Sequence, residues 1–140
     1  MRKIHRFISL LGCLAIAMPL LAQAGYPLKG TWSGEWGPSK SDRRRVLLEF
    51  AWDGKVLSGT LNPGPDAAKM TQVTLTPPAA LADAAKGWPL HFEADTKNAT
   101  GQPVHVVVDG ILENIGAFKK IISGSWTEGS VKGYFEVTMN

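Results

Sequence analysis

Cysteine is almost missing from this chain: the only one in 140 residues is Cys13, inside an apolar N-terminal run. No disulfide can form downstream of it, so the fold that follows stands on its core alone. Histidine is scarce as well. His5 lies near the start, and His91 and His105 have no His-x-x-x-His or cysteine neighbour, so the spacing supports no metal site. Ser33, Ser58, Ser123 and Ser125 lack a nearby histidine–acid arrangement, which leaves nucleophilic catalysis without support. The acids are scattered, with no pairing suited to acid–base work, and no phosphate loop occurs. The sequence therefore assigns no catalytic residue, no metal and no cofactor, and an enzyme ranks behind the binding readings developed below. A long helical pattern is absent too.

The first 24 residues read as a removable leader. Arg2, Lys3 and Arg6 precede an apolar run of 15 residues, Phe7 to Leu21, and Ala22-Gln23-Ala24 is a small-x-small cleavage signature. The run is too short and wrongly flanked for a spanning helix, so a stable membrane anchor is not expected. Leu10-Leu11-Gly12-Cys13 resembles a lipoprotein box. Cleavage there would leave only Phe7 to Leu11 as the apolar segment before Gly12, so cleavage after Ala24 fits the length of the run better. The expected mature protein runs from Gly25 to Asn140 as one domain, in a periplasmic or extracellular location. The whole chain carries 15 Lys+Arg and 12 Asp+Glu. Three of the bases and none of the acids leave with the leader, so twelve of each remain. That balance gives no sign of nucleic acid, or of an anionic membrane surface, as a partner.

What fills the rest is strand rhythm. Leu28, Gly30, Trp32, Gly34 and Trp36 alternate with Lys29, Thr31, Ser33 and Glu35, a period of two that marks a half-buried strand. Val46, Leu48, Phe50 and Trp52 repeat it. Asp53-Gly54 then signals a two-residue hairpin that pairs Trp52 with Lys55 and puts Leu57, Gly59 and Leu61 on the same face. Further strands are expected at 69–76 (with Thr71, Val73 and Leu75 on one face), at 88–94 (with Trp88, Leu90, Phe92 and Ala94), and at 103–113, where Gly110 reads as a bend or bulge. Two more follow at 121–127 and 131–139, the last with Val131, Gly133, Phe135, Val137 and Met139 inward. Ala79 to Lys86 has the composition of a short helical cap, and Ile115 and Phe118 are expected to tuck against a barrel end.

Eight short strands joined by turn signals suggest a barrel or a sandwich. The glycines favour the barrel. Leu28-Lys-Gly-Thr-Trp32, Leu57-Ser-Gly-Thr-Leu61, Ile122-Ser-Gly-Ser-Trp126 and Val131-Lys-Gly-Tyr-Phe135 each place glycine on the inward face, where it lets a strand coil into a small closed sheet. The expectation is an eight-stranded antiparallel up-and-down β-barrel whose first and last strands pair, with a β-sandwich as the alternative.

Gly30-Thr31-Trp32, the Asp53-Gly54 hairpin running into Leu57-Ser58-Gly59-Thr60, and Ile122-Ser123-Gly124-Ser125-Trp126 resemble the calycin group of barrels. The likeness is nearest to the avidin-like branch and weaker to lipocalins. It implies a barrel that holds a small ligand in its open end. It does not imply biotin. The avidin pattern has Asn two residues after the first-strand Trp and Tyr directly after the third-strand Gly-Thr, where this chain has Gly34 and Leu61.

The inward residues Trp32, Trp36, Trp52, Trp88, Phe92 and Trp126, with Phe135, are the candidates for contact with a small, partly apolar ligand. The competing reading is that these rings simply fill a barrel of eight strands. Arg44, alone of Arg43-Arg44-Arg45, has inward parity at a strand end, where it suits a mouth that meets an anionic group. Trp36 and Arg44 flank the same loop and so share that mouth. A protein-interaction module using barrel-end loops is the alternative function.

Overall fold

A computed structural model of the chain describes residues 25–80, 83 and 86–140, so the leader lies outside the described residues. Eight strands follow in order: β1 (Gly30–Gly37), β2 (Arg44–Trp52), β3 (Leu57–Leu61), β4 (Ala68–Leu75), β5 (Trp88–Lys97), β6 (Pro103–Glu113), β7 (Ile121–Glu128) and β8 (Val131–Met139). Each pairs antiparallel with the next, and β8 returns to β1 through pairs such as Trp36 with Phe135 and Trp32 with Met139. The sheet is closed and has no edges. Every strand sends alternate residues inward, and the interior is occupied by a continuous core that includes Trp32, Leu48, Phe92, Val108, Ile122, Trp126 and Phe135. Among the described residues the core begins at Leu28.

The two ends differ. At the upper end lie the loops after β1, β3, β5 and β7. At the lower end the chain enters as a 3-10 turn, Tyr26–Leu28. This turn departs from the expectation that Leu28 opens the first strand. Pro27 fixes its own φ near the helical value, and Gly30 has φ +134, a conformation that breaks the run before β1. Leu28 is instead a plug: it is fully buried, and its carbonyl accepts the Trp32 indole N–H at 2.8 Å.

The β2–β3 turn has four residues, not two. Trp52 pairs with Leu57, because the Asp53 carboxylate accepts the N–H groups of Lys55 and Val56 at 2.8 and 2.6 Å. The register moves by two, so Leu57, Gly59 and Leu61 keep their inward face. In β4 a bulge between Thr71 and Thr74, with Gln72 at φ 52, resets the parity. Ala68 and Met70 point inward before it and Val73 packs on the core after it, so Thr71 is exposed rather than inward.

Gly110 is not a bulge. It keeps register with Leu90 and Gly124, and a Cβ there would stand 2.8 Å from Cζ of Phe135, so its role is to admit that ring. Ile115 and Phe118 do not tuck in: both are exposed, Phe118 completely, because the Asn114–Lys119 turn stands clear of the wall. Val131 is likewise exposed, just above the rim. The expected cap at 79–86 falls partly outside the described residues, where only its Asp83–Lys86 ion pair and the Asp83 N–H bond to the Ala80 carbonyl are seen.

Candidate functional site: the upper mouth

Trp36 closes β1 and Arg44 opens β2, so the loop between them brings both to the upper end. There the Arg44 guanidinium lies over the Trp36 ring, 4.7 Å from its centroid, and donates from Nη2 to Glu128 Oε2 at 2.7 Å. Glu128 ends β7 on the inward face, two residues beyond Trp126, and is only 7 % exposed, whereas the Arg44 side chain is 42 % exposed. A buried carboxylate needs such a partner. Beneath this pair Trp36 stacks on Trp126, with centroids 5.4 Å apart and planes 19° apart. Trp126 in turn meets Phe92 and Phe135 edge-on. The order from solvent to core is thus cation, indole, indole, phenyl. The Trp126 indole N–H is buried and finds no acceptor among the described residues, in contrast to that of Trp32.

The β5–β6 loop flanks the mouth. Asn98 accepts the N–H groups of Thr100 and Gln102, both at 3.0 Å, and the Thr100 hydroxyl at 2.8 Å. One side chain therefore organises the β5–β6 turn. Grooves open on either side of it. One, of about 290 Å³, is lined by Arg44, Val104, Glu128 and Val131. The other, of about 620 Å³, runs between the 62–68 turn and Lys97–Pro103. Arg43 faces outward and ties β1 to β8 by donating to the Tyr134 carbonyl at 3.0 Å.

The candidate residues are divided by this geometry. Trp36 and Arg44 meet at the mouth. Trp32, Phe92 and Trp126 are fully or almost fully buried in the core below it. Trp52 and Trp88 lie at the lower end, where β2 finishes and β5 begins. Glu128, absent from the candidates, completes the mouth. Its signal was its parity: it follows Trp126 by two, like Arg44 before Val46.

A second polar cluster lies on the outer wall of β5 and β6. His91 Nδ1 meets Asp109 at 2.6 Å, and its Nε2 meets Glu93 at 3.1 Å. His105 meets Glu93 through Nε2 and Asp95 through Nδ1, each at 2.7 Å. Each imidazole faces carboxylates with both nitrogens, and only the doubly protonated ring donates from both. The Asp109 carboxylate, then Glu93, raises the pKa of His91, and the Glu93 carboxylate, then Asp95, raises that of His105. Hydrogen bonds from His105, then His91, hold the Glu93 carboxyl below its ordinary value. The turn at residues 98–102 aligns His91 with Asp109 and Asp95 with His105 across the strands. The spacings His-x-Glu-x-Asp and His-x-x-x-Asp carried that signal in the sequence. Among the described residues no group of three or more His, Cys, Asp or Glu is arranged to hold a metal ion. Comparison of the chain with protein-family models, with curated proteins and with solved structures returns no match.

Proposed function

We propose that this chain is an exported barrel that binds a small, partly apolar molecule at the mouth framed by Trp36, Arg44, Glu128 and the 98–102 loop. One observation carries the reading: a half-exposed guanidinium held over an indole by a buried carboxylate, beside two open grooves. Arginine has five N–H donors in a planar fork, and the bridge to Glu128 uses one of them. The others can take an anionic group of the ligand while its apolar part lies along Val104 and Val131 in the groove. The interior is packed, so Trp32, Phe92 and Trp126 support the mouth from below rather than touch the ligand. We infer further that the barrel belongs with the calycin group, nearest its avidin-like branch, on Gly30-Thr31-Trp32 and Ile122-Ser123-Gly124-Ser125-Trp126. Biotin is not the ligand of this reading, because Gly34 and Leu61 supply none of the polar groups it needs.

Tryptophan fluorescence against a panel of fatty acids, sterols, flavins and lipid fragments tests the proposal. A ligand should change the emission. Trp36 is itself only 4 % exposed, so Trp36→Ala acts by removing the ring beneath the Arg44 guanidinium and should weaken binding roughly two- to fivefold, the ~0.5–1 kcal/mol of a cation–π contact. Arg44→Ala should weaken anionic ligands most, and more so at low salt. The packed interior favours one second reading, in which the same loops grip a protein. Unchanged emission across the panel, with a protein recovered by a Trp36-dependent pull-down, would put that reading in its place.

A further inference from the structure

The lower end carries an arc of exposed apolar side chains that the mouth does not use. Phe118 is completely exposed at the tip of the β6–β7 turn, with Ile115 on the same turn. Lys120 donates to the Pro27 carbonyl at 2.9 Å, which joins this turn to the 3-10 plug and its exposed Tyr26. The plug adjoins β2, with Gly25 against the Trp52 ring, and Trp52 leads into the turn that bears exposed Val56. These tips belong to separate protrusions around one end, not to the walls of a groove. Lysine accompanies them in Lys55-Val56 and Phe118-Lys119-Lys120. Nearby acids offset part of this charge: Asp53, held ionised by the N–H groups of its own loop, stands beside Lys55, and Asp83 pairs with Lys86 at 2.8 Å. Glu113 is a further opposing charge at this end among the described residues.

We propose that this end docks reversibly on an anionic membrane surface, with Phe118 entering the headgroup boundary and Lys119 and Lys55 facing lipid phosphates. Apolar tips flanked by lysines match that layered environment, which offers apolar chains beneath and negative charge above. The path of the chain favours lipid over a protein partner. The polypeptide enters the barrel at Gly25, on this same end, a few residues after the apolar run Phe7–Leu21. On the exported reading, the patch lies on the end of the barrel to which that apolar run leads. A single aromatic tip with a few lysines gives weak, salt-sensitive binding and not a stable anchor.

The experiment is co-sedimentation of residues 25–140 with vesicles of equimolar phosphatidylcholine and phosphatidylglycerol, and with phosphatidylcholine alone. Binding to the mixed vesicles should exceed binding to the neutral ones and fall as salt is raised. Phe118→Ser should lower the partition coefficient roughly tenfold, and Lys119→Ala about fivefold at low salt. Because both side chains are exposed, the thermal midpoint should stay at the parent value, so a lost fold would be seen. Trp36→Ala, at the other end, should leave vesicle binding unchanged, which separates this proposal from that of the mouth. Parent protein that ignores anionic vesicles, or a Phe118→Ser variant that binds as well as the parent, overturns the proposal. So does a crosslinked protein partner lost on Phe118→Ser without any vesicle binding.

Discussion

Replacing Arg44 by alanine strands Glu128. Removing one partner of a fully buried ion pair costs about 3–5 kcal/mol, most of it from the charge left behind. Glu128 is 7 % exposed, which places it near that limit, but Arg44 is 42 % exposed and its side of the bridge is screened by water. The discount brings the expected loss to roughly 1–3 kcal/mol, to which the lost stacking on Trp36 adds about 0.5–1 kcal/mol. For a domain of this size each kcal/mol lowers the thermal midpoint by roughly 3–6 °C, so a fall on the order of 5–25 °C is expected. A thermal or urea melt measures it. Glu128→Gln removes the charge but keeps an acceptor, so it should be milder. In the double variant no buried charge remains, and its loss should be smaller than the sum of the two single losses by on the order of 1–2 kcal/mol. Losses that simply add, within about 0.5 kcal/mol, would show that the two groups do not act as a pair and that the mouth is not built on them.

The outer-wall ladder makes stability depend on pH with a definite sign. The raised histidines contribute fully below their ordinary value of 6.5 and lose their contribution as pH rises through the raised values. The lowered Glu93 contributes above 4.5 and is lost as pH falls through its lowered value. The midpoint should therefore be higher near about pH 6 than near about pH 8, and a His91→Gln, His105→Gln double variant should flatten that slope; an equal slope in the variant would refute it. Gly110→Val should be destabilised by at least roughly 1–3 kcal/mol in a urea melt, because its Cβ would fall 2.8 Å from Phe135 and 3.1 Å from Ile122. A silent Gly110→Val would mean that β6 bends away there after all.

Strand identity was legible wherever alternation was strict, and Trp32, Leu48, Phe92, Trp126 and Val137 lie inside as their parity requires. Closure was legible in the inward glycines. A Cβ at Gly124 would run into the Asp109 carbonyl, a close backbone approach of the kind a coiled strand demands. Register and parity failed where a side chain overrode the local pattern. Asp53 enlarged a turn that its Asp-Gly dipeptide made look tight, and Gln72 inserted itself into β4 with nothing in KMTQVTLT to mark it. Phe118 misled because apolarity alone does not say whether a turn folds back. Of the mouth, Trp36 and Arg44 could be placed together from the loop they share. Glu128 and the histidine ladder needed strand pairing between distant segments, which parity permits but does not specify.

Whether a ligand sits at the mouth rather than inside the barrel is decided most directly by mapping amide and indole NMR shifts during titration. The titrant is whichever panel member changes the tryptophan emission. The backbone amides of Trp36, Arg44, Asn98 to Gln102 and Glu128 should move together, while the indole N–H of Trp32, held by the Leu28 carbonyl in the core, should stay in place. Shifts concentrated on Trp32, Phe92 and Val108 with the rim unmoved would contradict the account.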